Sequence, residues 1–295
     1  MTEQQPVAGL VERRILQQKV LAQIESLPSL SSVVGEFLAL AKREVFVAMD
    51  FERVLIKDQA LVARLLKVAN SSFFGSSKPI KTVHEAMVLI GLDNMRNIVY
   101  AVSSSGLLKR ALKNYAYPHQ GFWLHSMAVG MTCRALIEAG KGLPMDAEEG
   151  FVSGLVHDIG KLILDDHLDA APGKRKISLE EEREAAGFDH TELGDRILQR
   201  WNIVGNIREA VRYHHAWRAD GQLRLGAGVV DAADRLCNHW GVGTKSLMNL
   251  GEDVPLADYR EIIEALGMET ERFRAQLWDL RQKLSAIENY YAEDA

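Results

Sequence analysis

Apolar residues recur along this chain at helical spacing, and strand-type alternation is scarce. Leu10, Val11, Ile15, Leu16, Val20, Leu21 and Ile24 fall on one face of a helix spanning Leu10 to Ile24, which Pro28 ends. Ser29 or Ser31 can cap a second helix, Val33 to Lys42. A third should start near Phe51 with Asp50 as its cap, and the pattern returns over Leu61 to Ala69. Asn70 to Pro79, rich in Ser and Gly, reads as a loop. Helix resumes at Val83 to Ile90, breaks at Gly91 and restarts at Asp93 for Met95 to Leu108. After Tyr117-Pro118 the spacing predicts Phe122 to Ala139, Ala147 to Leu164, Thr191 to Trp201, Gly205 to His214 and Gly226 to Trp240. Two more helices follow, near Leu256 to Leu266 and Glu271 to Tyr290. Asp165 to Gly187, with its Lys174-Arg175-Lys176 and Glu180-Glu181-Glu182 runs, reads as an exposed loop and a short surface helix.

The fold class is therefore all-α. A soft boundary near residues 112–120 divides residues 1–115 from 116–243, with a C-terminal helical extension over 244–295. The outer helices Leu10 to Ile24 and Glu271 to Tyr290 can either pack on the body or pair with a second copy of the chain.

Composition narrows the function classes. The 295 residues are 47% hydrophobic, enough for one large core or two modest ones. A net charge of -5 argues against broad nucleic-acid binding, which needs a basic surface. Cys133 and Cys237 show no paired spacing, which fits a reducing cytoplasm. No apolar run reaches membrane-spanning length, and the polar start, Thr2 to Gln5, lacks the order of a signal peptide.

The chemistry concentrates in one stretch. His125, His157, Asp158, His190, His214, His215 and Asp234 are all metal-ligand types, and five of the nine histidines fall in this set. Any one of these histidines alone reads as an ordinary capping or surface residue. Together, in this order, they can surround two divalent ions. His157-Asp158 closes the apolar run Phe151 to Val156, where an ionic pair is costly unless something such as a cation compensates it. Imidazole and carboxylate without thiolate suit Fe, Mn or Ni at least as well as Zn. Trp123 and Trp201 at helical spacing read as core.

The segment Gly154-Leu155-Val156-His157-Asp158-Ile159-Gly160-Lys161 resembles the signature of the HD superfamily of metal-dependent phosphohydrolases. Upstream, Asp58 to Ser71 (DQALVARLLKVANS) and Phe74-Gly75 resemble the signature of the HDOD family, an HD-related output domain of bacterial signalling. Ile80, Val83, Ala86 and Ile90-Gly91 agree, as do His190-Thr191-Glu192-Leu193-Gly194, Trp201-Asn202-Ile203 and His214-His215, so the likeness covers roughly residues 22–243. It implies a multi-helix HDOD domain. By similarity to the cyclic-dinucleotide phosphodiesterase branch, one ion would use His125, His157, Asp158 and a late aspartate. Asp234 is the choice and Asp231 the fallback. A second ion would use Asp158, His190, His214 and His215. Lys161, one turn after Asp158, could reach a substrate phosphate; its structural alternative is an ion pair with Asp165. Arg235 or Arg212 could offset further phosphate charge.

The chain departs from that branch in three places. Gly121 stands where the branch has a glutamate ligand, Ala216 where it has an acid after the paired histidines, and the Gly-Tyr-Pro motif is missing. The resemblance thus implies a signalling output protein with a divalent-metal site, acting on partner signalling proteins. A metal-dependent phosphohydrolase for a nucleotide or another phosphate ester is the alternative, in which Asp158 and Lys161 would serve catalysis.

Overall fold

A computed structural model describes residues 7–27, 48–70, 78–91, 95, 99, 108, 110–168, 177–201, 203, 205–244 and 253–292. The expected helix Val33 to Lys42, most of Met95 to Leu108, the segment Ser71 to Gly75 and the Lys174-Arg175-Lys176 run lie outside these residues. Within them the helices are α1 (Val7–Ser26), α2 (Ala48–Leu55), α3 (Gln59–Ala69), α4 (Val83–Ile90), α5 (Gly121–Ala139), α6 (Ala147–Val156), α7 (Lys161–Leu164), α8 (Leu179–Ala186), α9 (His190–Arg200), α10 (Asn206–Tyr213), α11 (Leu225–His239), α12 (Arg260–Ala265) and α13 (Thr270–Ala292). The described residues contain no strand, only an isolated antiparallel bridge between Leu112 and Tyr117. None of their helices is long and apolar enough to cross a membrane.

The N-terminal part is a cluster of α2, α3 and α4. Phe51, Leu55, Leu61, Leu65, Val83, Ala86 and Met87 are buried. α2 starts before the expected point, so Asp50 lies in its first turn rather than capping it, where its charge still complements the helix dipole. Asp58 caps α3 by accepting from the Leu61 backbone N–H at 2.9 Å. The side chain of Asn70 donates to the carbonyls of Leu66 and Ile80, both at 2.8 Å, and accepts from the Ile80 N–H at 2.7 Å. One amide thus ends α3 and pins the chain ten residues later, a turn-closing role.

α5 is the central rod, buried on nearly every side. Its Gly130 lies against Phe151 and Gly154 of α6, while its Cys133 and Ile137 lie against Gly150, so the two helices run antiparallel. A Cβ on Gly154 would come within 2.8 Å of the Gly130 backbone; only glycine at both places permits this approach. On one side of α5, Ala128, Val129, Cys133 and Leu136 join a core with Val229 and Leu236 of α11, Trp240 at its end, Ile262 and Ile263 of α12, and Phe273, Leu277 and Leu280 of α13. On the other side, Phe122, Trp123, Met127 and Met131 join Val20 and Ile24 of α1, Leu155 of α6, Leu162 of α7 and Ile197 of α9. Trp123 is buried in this second core and Trp201 packs on it, as the spacing predicts. α1 docks on α7, α8 and α9, with Leu16 and Leu21 half-buried. Ile15, expected on the same apolar face, is 48% exposed.

Two elements differ from expectation in ways that matter for function. The helix expected over Ala147 to Leu164 is split into α6 and α7 by a turn at residues 157–160. Bonds from the Ile159 N–H to Val156 O (3.0 Å) and from the Lys161 N–H to Asp158 O (2.9 Å) tighten this turn to 3₁₀-like geometry. The glutamate run is not simply a solvated face either: Glu182 of α8 is fully buried.

Candidate metal centre

Five elements bring the seven residues together. α5 carries His125, the turn after α6 carries His157 and Asp158, α9 opens with His190, His214-His215 follow α10, and α11 carries Asp234. Their donor atoms form two groups in which all atoms lie within 4.8 Å of one another. One group is His125, His157, Asp158 and Asp234; the other is Asp158, His190, His214 and His215. Metal–nitrogen bonds of about 2.0–2.1 Å allow opposed donors about 4 Å apart, so either group closes on an ion with a small contraction.

Asp158 is the shared member. Its Oδ2 lies 3.2 Å from His157 Nε2, and its Oδ1 lies 3.2 Å from His190 Nε2 and 3.9 Å from His214 Nε2. Asp234 Oδ1 lies 3.0 Å from His125 Nε2 and 3.5 Å from His157 Nε2, and Asn238, one turn on, donates to it at 2.7 Å. This selects Asp234 over Asp231, whose carboxylate faces Arg235 at 3.6 Å.

The imidazoles are oriented from behind. Nδ1 of His157 lies 2.8 Å from Gly154 O, and Nδ1 of His214 lies 2.9 Å from Val211 O. Nδ1 of His190 lies 2.8 and 2.9 Å from the two oxygens of Glu182. Acceptors at Nδ1 hold a proton there and turn Nε2 inward, where its lone pair can ligate once that nitrogen is deprotonated. The Nε2 atoms of His157, His190 and His214 and the Oδ1 of Asp158 are buried with no well-aligned hydrogen bond from the protein. Buried polar atoms are seldom left so. Several converging on one point fit a cation, so the donor set passes the test for a divalent ion.

The electrostatics favour the ligating form at His125 and His214 but not at His157. Burial, with Asp234 opposing it, holds His125 below its ordinary range. Burial and the neighbouring His215 hold His214 well below its ordinary range. Both therefore stay neutral, the ligating form. Burial would also depress His157, but Asp158 and Asp234 outweigh it and raise the imidazole to about 10. Burial would raise both carboxylates, yet His157 and Lys161 pull Asp158 well below its usual range, and His125 and His157 do the same for Asp234.

The two groups differ in access. All four residues of the first are buried, whereas His215 gives the second an exposed edge. Closed donor sets hold structural ions, and sets with an open side can exchange or bind ligand.

The neighbouring cations are committed. Lys161 pairs with Asp158, three residues before it, rather than with Asp165, its structural alternative in the sequence. Asp165 instead accepts from the Asn114 N–H at 2.8 Å. Arg212 donates to Thr191 Oγ1 (2.8 Å) and Glu192 (3.1 Å), and Arg235 donates to the Asp258 carbonyl at 3.1 Å.

The sequence reading missed two supporting residues. Glu182 is one. The other is Asp189, which caps α9 by accepting from the Glu192 N–H at 2.9 Å and also accepts from Thr191 Oγ1 at 2.6 Å. The D-H-T-E order of a capping box was visible in the sequence. Asp189→Ala should cost about 2 kcal/mol, the upper end for a cap because this carboxylate is buried; chemical denaturation would measure it.

Gly121 explains its own departure. A Cβ there would lie 2.2 Å from Gly243 O, and one on Gly243 would lie 2.2 Å from Gly121 O. The two backbones touch where a glutamate ligand would have to leave the helix, so the present turn excludes that ligand.

Comparison with known proteins agrees with this architecture. The family model described as the HDOD domain matches residues 27–217, which includes every candidate ligand except Asp234. An uncharacterised protein of Treponema pallidum (strain Nichols) is 26% identical over 211 residues, 65% of this chain; the match spans only 38% of that relative's length. A crystal structure from Shewanella amazonensis SB2B, provisionally described as a phosphohydrolase, has a TM-score of 0.68 at 20% identity, covering 92% of this chain and 97% of that one. An HDOD domain protein of unknown function from Geobacter sulfurreducens gives 0.68 at 20% identity, covering 93% and 98%. A Marinobacter aquaeolei VT8 protein, provisionally described as a signal transduction protein, gives 0.66 at 18% identity, covering 96% and 66%. Identities this low establish a shared fold alone.

Proposed function

This chain belongs to the HDOD family, and on that premise we propose that it is a signalling output protein built around a divalent-metal site. The observation that carries the metal reading is the set of inward-facing Nε2 atoms, unbonded by protein, around the shared carboxylate of Asp158. The ion is Fe, Mn, Ni or Zn. In this reading the buried group holds a structural ion, and the group edged by His215 senses a phosphate-containing ligand or a change of occupancy. The output passes to partner signalling proteins or to a second copy of the chain.

Three features favour signalling over turnover. Lys161, Arg212 and Arg235 are engaged by protein acceptors rather than presented to a phosphate. Gly121 cannot be replaced by the glutamate ligand without moving the backbone of Gly243. Ala216 supplies no acid after the paired histidines.

The alternative, a metal-dependent phosphohydrolase, is supported by one observation: both groups are complete and share Asp158, the arrangement two-metal hydrolysis uses. Ions held there would polarise water and a phosphate ester. The chain's own part would be to orient them and to keep Lys161 at hand.

Metal analysis of the purified protein, followed by a phosphatase and phosphodiesterase panel with Mn or Fe, separates the two. Stoichiometric metal without turnover is expected. Turnover abolished in His157→Ala would transfer the assignment to the hydrolase.

A further inference from the structure

We propose that Glu182 is a positioning residue that sets the strength of the second ligand group through His190, with the buried Tyr115 as its modulator. The inference rests on the metal reading above and adds to it a control point outside the ligand set.

The geometry is specific. Glu182 Oε2 accepts from the backbone N–H of His190 at 2.7 Å, and both its oxygens face Nδ1 of the same residue at 2.8 and 2.9 Å. Glu182 therefore grips the His190 main chain and ring together. It lies at the Nδ1 edge, on the side of the ring away from Asp158, so it orients the ligand rather than acting as one. Glu182 Oε1 also accepts from the Tyr115 hydroxyl at 2.8 Å. Fully buried, the Glu182 carboxylate accepts from the His190 N–H, the His190 ring and the Tyr115 hydroxyl. An anion at Nδ1–H pushes electron density to Nε2 and makes the imidazole a stronger donor. His157 and His214 have only backbone carbonyls at that position. Among the three, His190 alone has an anion behind it, and it belongs to the second group only.

Tyr115 shares the carboxylate and so draws some of its charge away from His190. The two substitutions should act in opposite senses. Titration of purified full-length protein with Co(II), followed by visible absorption and calorimetry, tests this. Wild type should bind about two equivalents. Glu182→Gln keeps the shape and removes the charge; it should bind the first equivalent normally and the second about 10–100-fold more weakly. Tyr115→Phe should leave the second equivalent as tight as wild type or tighter, whereas a merely structural network would loosen in both variants. Glu182→Asp, which keeps the charge but draws it back, should weaken only the second equivalent, and it serves if the glutamine variant does not fold. An unchanged second equivalent in Glu182→Gln, or equal loss of both ions in Glu182→Asp, overturns the proposal. Failure of wild type to bind Co(II) at all would instead overturn the metal reading beneath it.

Discussion

Asp158→Ala is expected to leave the protein without bound metal, because Asp158 is the one residue common to both ligand groups. Substitution of any other ligand leaves one group whole. The same change should also destabilise the fold. Lys161 pairs with Asp158 and its side chain is only 16% exposed. Removing one partner of such a pair strands the other charge, at a cost of about 3 kcal/mol. Metal loss could then be a by-product of unfolding, and a second variant separates the two. Asp158→Ala combined with Lys161→Met removes both charges and should recover most of the stability without recovering metal. Elemental analysis and denaturant midpoints on the two variants read out each arm. Metal retained by Asp158→Ala would mean that the shared carboxylate is not a ligand.

Gly160→Ala should produce the second large effect. A Cβ at this position would lie 2.0 Å from the His190 carbonyl oxygen and 2.9 Å from its Cα. These are main-chain atoms at the start of α9 and cannot rotate aside, so the turn that holds Asp158 must move away from His190. Overpacking in a tight interior costs about 1–3 kcal/mol, and here the upper end applies. The second group, which spans this contact, should lose its ion, while the first, built from α5, the turn and α11, keeps its own. Calorimetric titration would show one equivalent where wild type shows two. Loss of both ions at unchanged thermal stability would contradict this account.

Much of this architecture was legible in the sequence because it is set locally. Helical apolar spacing located α4 to the residue and most of the others to within a turn. The ligand types and their order marked the site, since few other roles require that many imidazoles and carboxylates. What escaped depends on tertiary contact. The split between α6 and α7 follows from the approach of Gly160 to the start of α9, which periodicity cannot register. Lys161 and Asp165 share one helical turn, with the Asp165 N–H bonded to Lys161 O at 3.0 Å, yet they do not pair, because Asp158 holds the lysine and Asn114 holds Asp165. Glu182 was masked by the glutamates beside it. The available clue was its position on the same helical face as Leu179 and Ala186, where a charge is out of place unless it has a buried partner. The choice between Asp231 and Asp234 needed coordinates, since three residues along a helix leave both near one face.

The mutual contact of Gly121 and Gly243 bears on how such a chain could change over time. Acquiring a glutamate at position 121 by a single codon change would drive its Cβ into the Gly243 carbonyl, 2.2 Å away. The turn at Gly241 to Gly243 would have to be rebuilt first, and that rebuilding gains nothing until the glutamate arrives. The glutamate is unfavourable until that turn has moved, so a single substitution at position 121 does not reach the fuller ligand set.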